Sequence, residues 1–594
     1  DTNLGEVKEI APAKSGNEED LRFNWNTPLH MSSTKPGRIY YGSQYVHVSD
    51  DRGESWRTIS PDLTTDDPKR QRQKQSGGLS IDNSTAENNA TIYSISESPA
   101  NGQVIWAGSD DGLVHVTQNG GESWANVTKN LPGIPKNTWV SRVEASPHDA
   151  GTAFITLDGH RTGDMSTYVL VTRDFGKSWT SLSEGENNRG IEGYAWVIKQ
   201  DLVNPELLFL GTEMGLFISL DGGEQWARFK ENLPKVAVHD IVIHPTEHDL
   251  VLGTHGRGVY VIDDITPMRA LTREIIEQNV ALLPARPAVM VSGGALQEFT
   301  ANDQYTAFNP SEAATITYWL KKRHLFGDIK VNVYDQNDEL IISLPGDKRP
   351  GINRVEWPMR LKAPKLPAAT ALAPAFIGPR VPEGEYRVEL VKGKETLNGT
   401  VELVADPRTK HSADDRKIQQ ELALRLYDML GDLTYISESV TSLADKAEEH
   451  AEGLEGRDAK RLKEFANTVN EFNGTLVSTS KAGWLSGDEQ LREKISNVYG
   501  TVNTFDGRPT DTQVAQTKAY QQQLVDAEAQ AQQLMDKELP KVNRILEKHD
   551  LPAFKRMSRD EWEGESEGLR GTGAMSKAQI NALPEYLMMG FKAN

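Results

Sequence analysis

The sequence contains no cysteine. Disulfide staples and thiolate-ligated metal centres are therefore excluded, and packing and hydrogen bonds alone must hold the fold. It also lacks any apolar run near the ~18 residues of a membrane-spanning helix. Positive charge is scarce: 65 Lys and Arg face 85 Asp and Glu, for a net charge of −20. Such a surface repels phosphate backbones and anionic lipid heads, which argues against nucleic-acid or membrane-surface partners. The basic run Lys69–Lys74 reads as a solvated loop. The His-Glu-x-x-His zinc motif, the Walker phosphate loop and the Gly-x-Ser-x-Gly elbow are all missing. EF-hand spacing is missing too, so no cofactor is expected, although loop carboxylates could hold a calcium ion. The sequence opens at Asp1 with neither an initiator Met nor a leader, and reads as a processed product or part of something longer.

What is present is repetition. A pattern Ser/Thr-x-Asp-x-Gly-x-x-Trp occurs at Ser49–Trp56, Thr172–Trp179 and Ser219–Trp226, with an Asn-bearing copy at Thr117–Trp124. The acidic or Asn positions lie 68, 55 and 47 residues apart, about one four-stranded sheet each. The hydroxyl and carboxylate can bond turn amides, the glycine supplies a positive φ, and the tryptophan should bury against the next sheet. These are Asp-boxes, and they predict a β-propeller over 21–265 after an N-terminal extension, 1–20. A last strand pair, Leu250–Ile262, has no box after it. About five blades fit, so the rest of the ring should come from an upstream segment or a partner chain, with a homo-oligomer as one form.

Downstream, 266–300 reads as a linker rich in Pro and Gly. Short alternating strands over 301–406, including Thr315–Leu320, Ile329–Tyr334 and Tyr386–Leu390, predict an immunoglobulin- or fibronectin-like β-sandwich. From Ser412 the period turns helical, with Ile418, Leu422, Leu426 and Leu430 on one stripe. Residues 407–550 predict an α-helical bundle, and 551–594 an extended tail. The fold class is thus mainly β, with helices at the C-terminal end.

Strand order decides where a ligand site would lie. Boxes join third to fourth strands, so second-to-third turns and blade-to-blade loops open on the opposite face. On that face fall Asp110 and Asp111, Asp158, His160 and Arg161, Glu213, and His255 and Arg257. The loop with Asn83 and Glu87, and the strand starts at Trp139, Tyr194, Trp196, His239 and Asp240, point the same way. Asp110, Asp111, Asp158 and Glu213 are the candidate catalytic carboxylates, since a glycosidase needs two about 5–10 Å apart. His160, Arg161, Glu213, His255, Arg257, Trp139 and Trp196 are the candidate ligand-binding residues. The plainer alternative is that Asp-Gly and Glu-x-Gly simply form turns.

The chain resembles the bacterial Asp-box proteins described as sortilin-like or as glycosyl hydrolases with BNR repeats. The resemblance is carried by Arg22–Pro28, Ser60–Thr64, Ser76–Leu79, Trp139–Ser146, Leu157–Arg161 and Gly253–Gly258. It implies the C-terminal part of a longer secreted or envelope protein. The function expected is that of a binding and scaffold protein whose propeller channel face recognises a peptide, protein or glycan. The alternatives are a glycoside hydrolase of the xyloglucanase or sialidase type, the latter needing an arginine triad such as Arg142, Arg161 and Arg257, and a purely structural propeller. A cysteine-free chain departs from sortilin, whose propeller precedes a cysteine-rich module.

Overall fold

The apolar alternation around each box becomes an antiparallel sheet. In the computed structural model, which describes residues 5, 7–14, 19–72, 88–185, 189–291, 311–371, 373–479 and 489–569, the chain divides into two compact units, Asp1–Asn279 and Val280–Asn594. The first unit holds five sheets in succession. The first comprises Leu29–Met31, Ile39–Gly42, Val46–Ser49 and Arg57–Thr58, and the second Ile92–Ser98, Asn101–Ser109, Val114–Thr117 and Ala125–Asn126. The third comprises Trp139–Ala145, Ala153–Asp158, Tyr168–Thr172 and Thr180–Ser181. Ala195–Gln200, Leu208–Thr212, Gly215–Ser219 and Ala227–Arg228 make the fourth. Val238–Ile243, Leu250–Thr254 and Val259–Ile262 make the fifth.

Within each sheet the strands pair in chain order. The first strands of successive sheets lie against one another, which makes them the innermost strands of a propeller arc. Apolar side chains fill each gap between sheets. Tyr40 and Val48 meet Ile95 and Ala107, and Trp106 and Val116 meet Val143 and Ile155. Phe154 and Val171 meet Ile198 and Leu210, and Phe209 and Leu216 meet Ile241 and Leu252.

The octapeptide closes its turn as its chemistry requires. In the first copy, Ser49 Oγ accepts from the Gly53 amide at 2.7 Å, and Asp51 Oδ1 accepts from the Ser55 amide at 2.9 Å. Thr117 and Asn119 do the same for Gly121 and Ser123, so an amide oxygen suffices. The tryptophan, however, faces the preceding sheet and not the next. Trp124 Nε1 donates to the Ile59 carbonyl and Trp226 Nε1 to that of Leu182. The cause is the box glycine at positive φ, which seats the turn on the sheet before it: Gly121 lies against Ile59 and Gly223 against Leu182.

The expected linker is partly ordered structure. Thr266–Arg269 and Arg273–Glu277 are short helices, and the Arg269 guanidinium grips the buried Asp201 at 2.9 Å. Residues 280–290 belong to the second unit, with strands at Val280–Leu283 and Ala288–Met290, because Val280 buries in its core, Leu282, Ala288 and Met290 pack against that core, and Pro284 and Pro287 only separate the two strands. Gly293, Gly294 and the rest of 292–310 lie outside the described residues, as do 73–87, with Asn83, Glu87 and Ser76–Leu79.

In the second unit, Val280–Leu283, Ala314–Leu320 and Gly351–Trp357 form one sheet. Ala288–Met290, Glu395–Ala405, Gly384–Lys392, Ile329–Tyr334 and Leu340–Pro345 form a second, in that order. Both contribute to one core around Tyr318, Trp357, Val331 and Val388. The helices Ala413–Glu452, Gly456–Leu476, Leu491–Asn503 and Asp511–Lys548 share another core around Leu430, Phe465, Ile495 and Met535. Ser412 caps the first of them by accepting from the Asp415 amide at 3.1 Å. The stretch expected as a tail contains a helix, Arg559–Leu569, whose Trp562 donates to Glu438 at 2.7 Å. Residues 570–594 lie outside the described residues.

Candidate functional site

A cleft of about 1220 Å³ is lined by residues from all five sheets of the propeller arc. Its wall is built where second-to-third turns meet the starts of innermost strands. After strand Ala153–Asp158 the chain makes a single 3₁₀ turn, His160–Thr162, released by Gly163 at φ 85°. That turn sets His160 and Arg161 at the cleft. Asp158, only 2% exposed, lies behind: its Oδ1 accepts from the His160 amide at 2.9 Å and its Oδ2 lies 2.6 Å from Nδ1. Trp139 also lies behind, with the Arg161 guanidinium 4.0 Å over its ring.

From His160 a continuous ladder of rings crosses three sheets. His160 stacks on Tyr194 at 4.7 Å, and Tyr194 meets Trp196 edge-on at 5.5 Å. Trp196 lies 4.0 Å from His239, and His239 lies 5.0 Å from His255. Glu213 sits at the second-to-third turn of the fourth sheet, accepting from the Tyr194 hydroxyl at 3.0 Å and Trp196 Nε1 at 3.3 Å. Burial and that carboxylate hold the Tyr194 phenol well above its ordinary range, so it stays a donor. His239 is pushed down, by burial first and then by His255, and favours the neutral imidazole. Beyond the ladder, Arg142 of the third sheet pairs with Asp240 of the fifth at 2.8 Å.

Of the residues singled out in the sequence, His160, Arg161, Trp196, Glu213, His255 and Arg257 line this one cleft. Asp158 and Trp139 support it from behind. Asp110 and Asp111 are buried elsewhere, tying loops together. Asp110 accepts from the Thr91 amide and hydroxyl and from Asn24, and Asp111 accepts from the amide and hydroxyl of Thr65. Burial pushes the Asp110 carboxyl up to about 7. Neither lines the cleft.

The structure adds Trp25, His30, Tyr93 and Lys235 to the lining. Trp25 is 71% exposed, and an unburied tryptophan just before a first strand was the signal available for it. His30 accepts from the Glu97 amide at 3.2 Å, and burial pushes its imidazole down to about 4. Among the described residues, no three His, Asp or Glu side chains come together in a way that could hold a metal ion. Nor is any described helix long and apolar enough to cross a membrane.

No family model matches the chain. It is 22% identical over 311 residues to a probable oligoxyloglucan-reducing end-specific xyloglucanase of Neosartorya fischeri, covering 46% of this chain and 36% of that protein. It is 22% identical over 284 residues to the oligoxyloglucan-reducing end-specific xyloglucanase of Emericella nidulans, covering 42% and 34%. The chain thus spans about a third of the length of these curated relatives. Among solved structures, it is similar to the GH74 xyloglucanase from Xanthomonas campestris, with 14% identity, 66% and 53% coverage and a TM-score of 0.30. The propeller assignment therefore rests on the strand order and inter-sheet packing described above.

Proposed function

We propose that the cleft binds a glycan chain and that the protein is a glycoside hydrolase acting in the cell envelope or outside the cell. The observation that carries this is Glu213 set among Tyr194, Trp196 and His160. Flat rings offer faces to the apolar sides of sugar rings, and the adjacent carboxylate accepts from sugar hydroxyls. A second carboxylate, Asp240, lines the same cleft from the neighbouring sheet. Hydrolysis needs such a pair, one group protonating the leaving oxygen and the other serving as base or nucleophile. Arg142 beside Asp240 compensates a negative charge, which suits the second role. The xyloglucanases are the sequence relatives in hand, and they support this reading over a pure scaffold. A sialidase would use Arg142, Arg161 and Arg257 to hold a substrate carboxylate; Arg142 already engages Asp240, and Arg161 lies on Trp139.

One observation favours a second reading, recognition of a glycan, peptide or protein without cleavage. Both cleft carboxylates face donors, Tyr194 and Trp196 for Glu213 and Arg142 for Asp240. Donors of that kind suit anchoring better than proton release. The deciding experiment measures reducing-end release and calorimetric binding with xyloglucan oligosaccharides, in the wild type, Glu213→Gln and Asp240→Asn. The hydrolase reading expects turnover that falls at least about 10²-fold in either variant with binding retained. Binding with no turnover in the wild type selects the second reading. Neither binding nor turnover overturns the glycan assignment.

A further inference from the structure

The outer face of the fifth sheet is apolar and uncovered. Val242, Val251 and Val261 stand side by side across its three strands, with Val259 paired to Gly253 one row away. Val242, Val259 and Val261 are 53%, 68% and 52% exposed. Strand register shows what these positions do elsewhere. Val251 pairs with Val261 as Tyr40 pairs with Val48, Trp106 with Val116, Phe154 with Val171 and Phe209 with Ile218. Tyr40, Trp106, Phe154 and Phe209 are buried, each in the core shared with the sheet that follows.

The opposite end of the arc shows the complementary situation. Leu29 pairs with Tyr41 as Ile95 pairs with Ala107, Val143 with Ile155, Ile198 with Leu210 and Ile241 with Leu252. Those four counterparts of Leu29 are buried against the sheet before, whereas Leu29 is 59% exposed and its neighbour Met31 74%.

A third observation says what belongs there. Gly121, Gly176 and Gly223 lie against Ile59, Val127 and Leu182, each three residues past a box tryptophan of the preceding sheet. Gly53 lies in the same way against Ile10, and Trp56 Nε1 donates to the Ile10 carbonyl. Ile10-Ala11-Pro12 echoes Ile59-Ser60-Pro61. The segment around Ile10 thus has the geometry of the end of a repeat that precedes the first sheet.

We propose that the Val251 face and the Leu29 face are seats for further sheets of the same repeat, carried on polypeptide N-terminal to Ile10, and that these close the propeller. Contiguous apolar faces on strands call for cover of this kind. Leu29 also lines the cleft, so the added sheets would border it, but the inference does not rest on what the cleft binds.

A chain without cysteine makes the test clean. Val261→Cys, with Val259→Cys as a second probe and the 55% exposed Leu340→Cys as reference, is placed in the protein as produced in its own cells. Maleimide labelling in native extract is compared with labelling in urea, the parent protein serving as blank. The proposal expects Val261→Cys and Val259→Cys to react at least about tenfold more slowly than Leu340→Cys natively, and equally in urea. Equal native rates overturn it. Photo-crosslinking from a benzophenone amino acid at Val259, read by mass spectrometry, then identifies the cover. Peptides of the box type that precede Ile10 in the same polypeptide support the proposal. Cross-links to a second copy of residues 1–594, or to an unrelated protein, overturn it.

Discussion

Oδ2 of Asp158 lies 2.6 Å from Nδ1 of His160, and the His160 ring lies nearly parallel to Tyr194. The buried carboxylate fixes which ring nitrogen faces inward and leaves Nε2 toward the cleft side of the dyad. The ring can therefore offer one oriented polar atom without paying the entropy of finding its place at each binding event.

Replacing Asp158 with Asn keeps an oxygen for the His160 amide but removes the charge facing Nδ1. If the cleft binds the glycan proposed above, affinity for xyloglucan oligosaccharides should fall by about tenfold, on the order of 1.4 kcal/mol, with little change in thermal midpoint. Isothermal titration of Asp158→Asn checks this; an unchanged dissociation constant would detach the dyad from ligand binding.

The boxes carry a pH signature. Hydrogen bonds from Ser55 and Ser178 hold the Asp51 and Asp174 carboxyls at about 2, below their ordinary 3.8. A depressed folded-state pKa gives stability that is present above pH ~4 and lost as pH falls toward ~2. Since Asn119 performs the same bonding, a double variant Asp51→Asn/Asp174→Asn should show a flatter fall in melting temperature between pH 4 and 2. Parallel melting curves for variant and parent would show that these two carboxylates contribute nothing to acid sensitivity.

Asp221→Ala removes the acceptor for the Gln225 amide, a bond of 3.0 Å at a partly exposed turn. A loss of about 1 kcal/mol is expected, with the cleft side chains untouched. Denaturant unfolding monitored at the propeller tryptophans provides the measurement, and an unshifted midpoint would remove the carboxylate from the turn's stability.

Trp106 is fully buried and meets Trp179 edge-on at 5.9 Å between the second and third sheets. Trp106→Ala should destabilise the propeller by about 3–5 kcal/mol. Limited proteolysis should then cut within 92–181 first, and a variant as resistant as the parent would contradict the packing described.

The scaffold was legible because its signal is local. Eight residues contain the hydroxyl, carboxylate, glycine and tryptophan of each turn, and strand order then dictates that Glu213, His160 and His255 share a face. The direction of the tryptophan was not legible, since Trp124 finds Ile59 only after two sheets have packed. Asp110 and Asp111 show the limit on the site. Their turn sequence fits a cleft as well as a core, and the partners that decide, Asn24, Thr91 and Thr65, are brought in from distant stretches of chain. Val280 and Val289 were hidden by flanking prolines that mark strand ends as readily as linkers.

The seating of each box glycine on the sheet before it makes the contacts between sheets directional. A sheet without its successor would keep its last apolar residue uncovered, because the turn of the next one is what settles on it. Ile59 depends on Gly121, Val127 on Gly176 and Leu182 on Gly223. Each repeat thus covers the end of its predecessor, so cutting the chain after any one repeat would leave that residue bare.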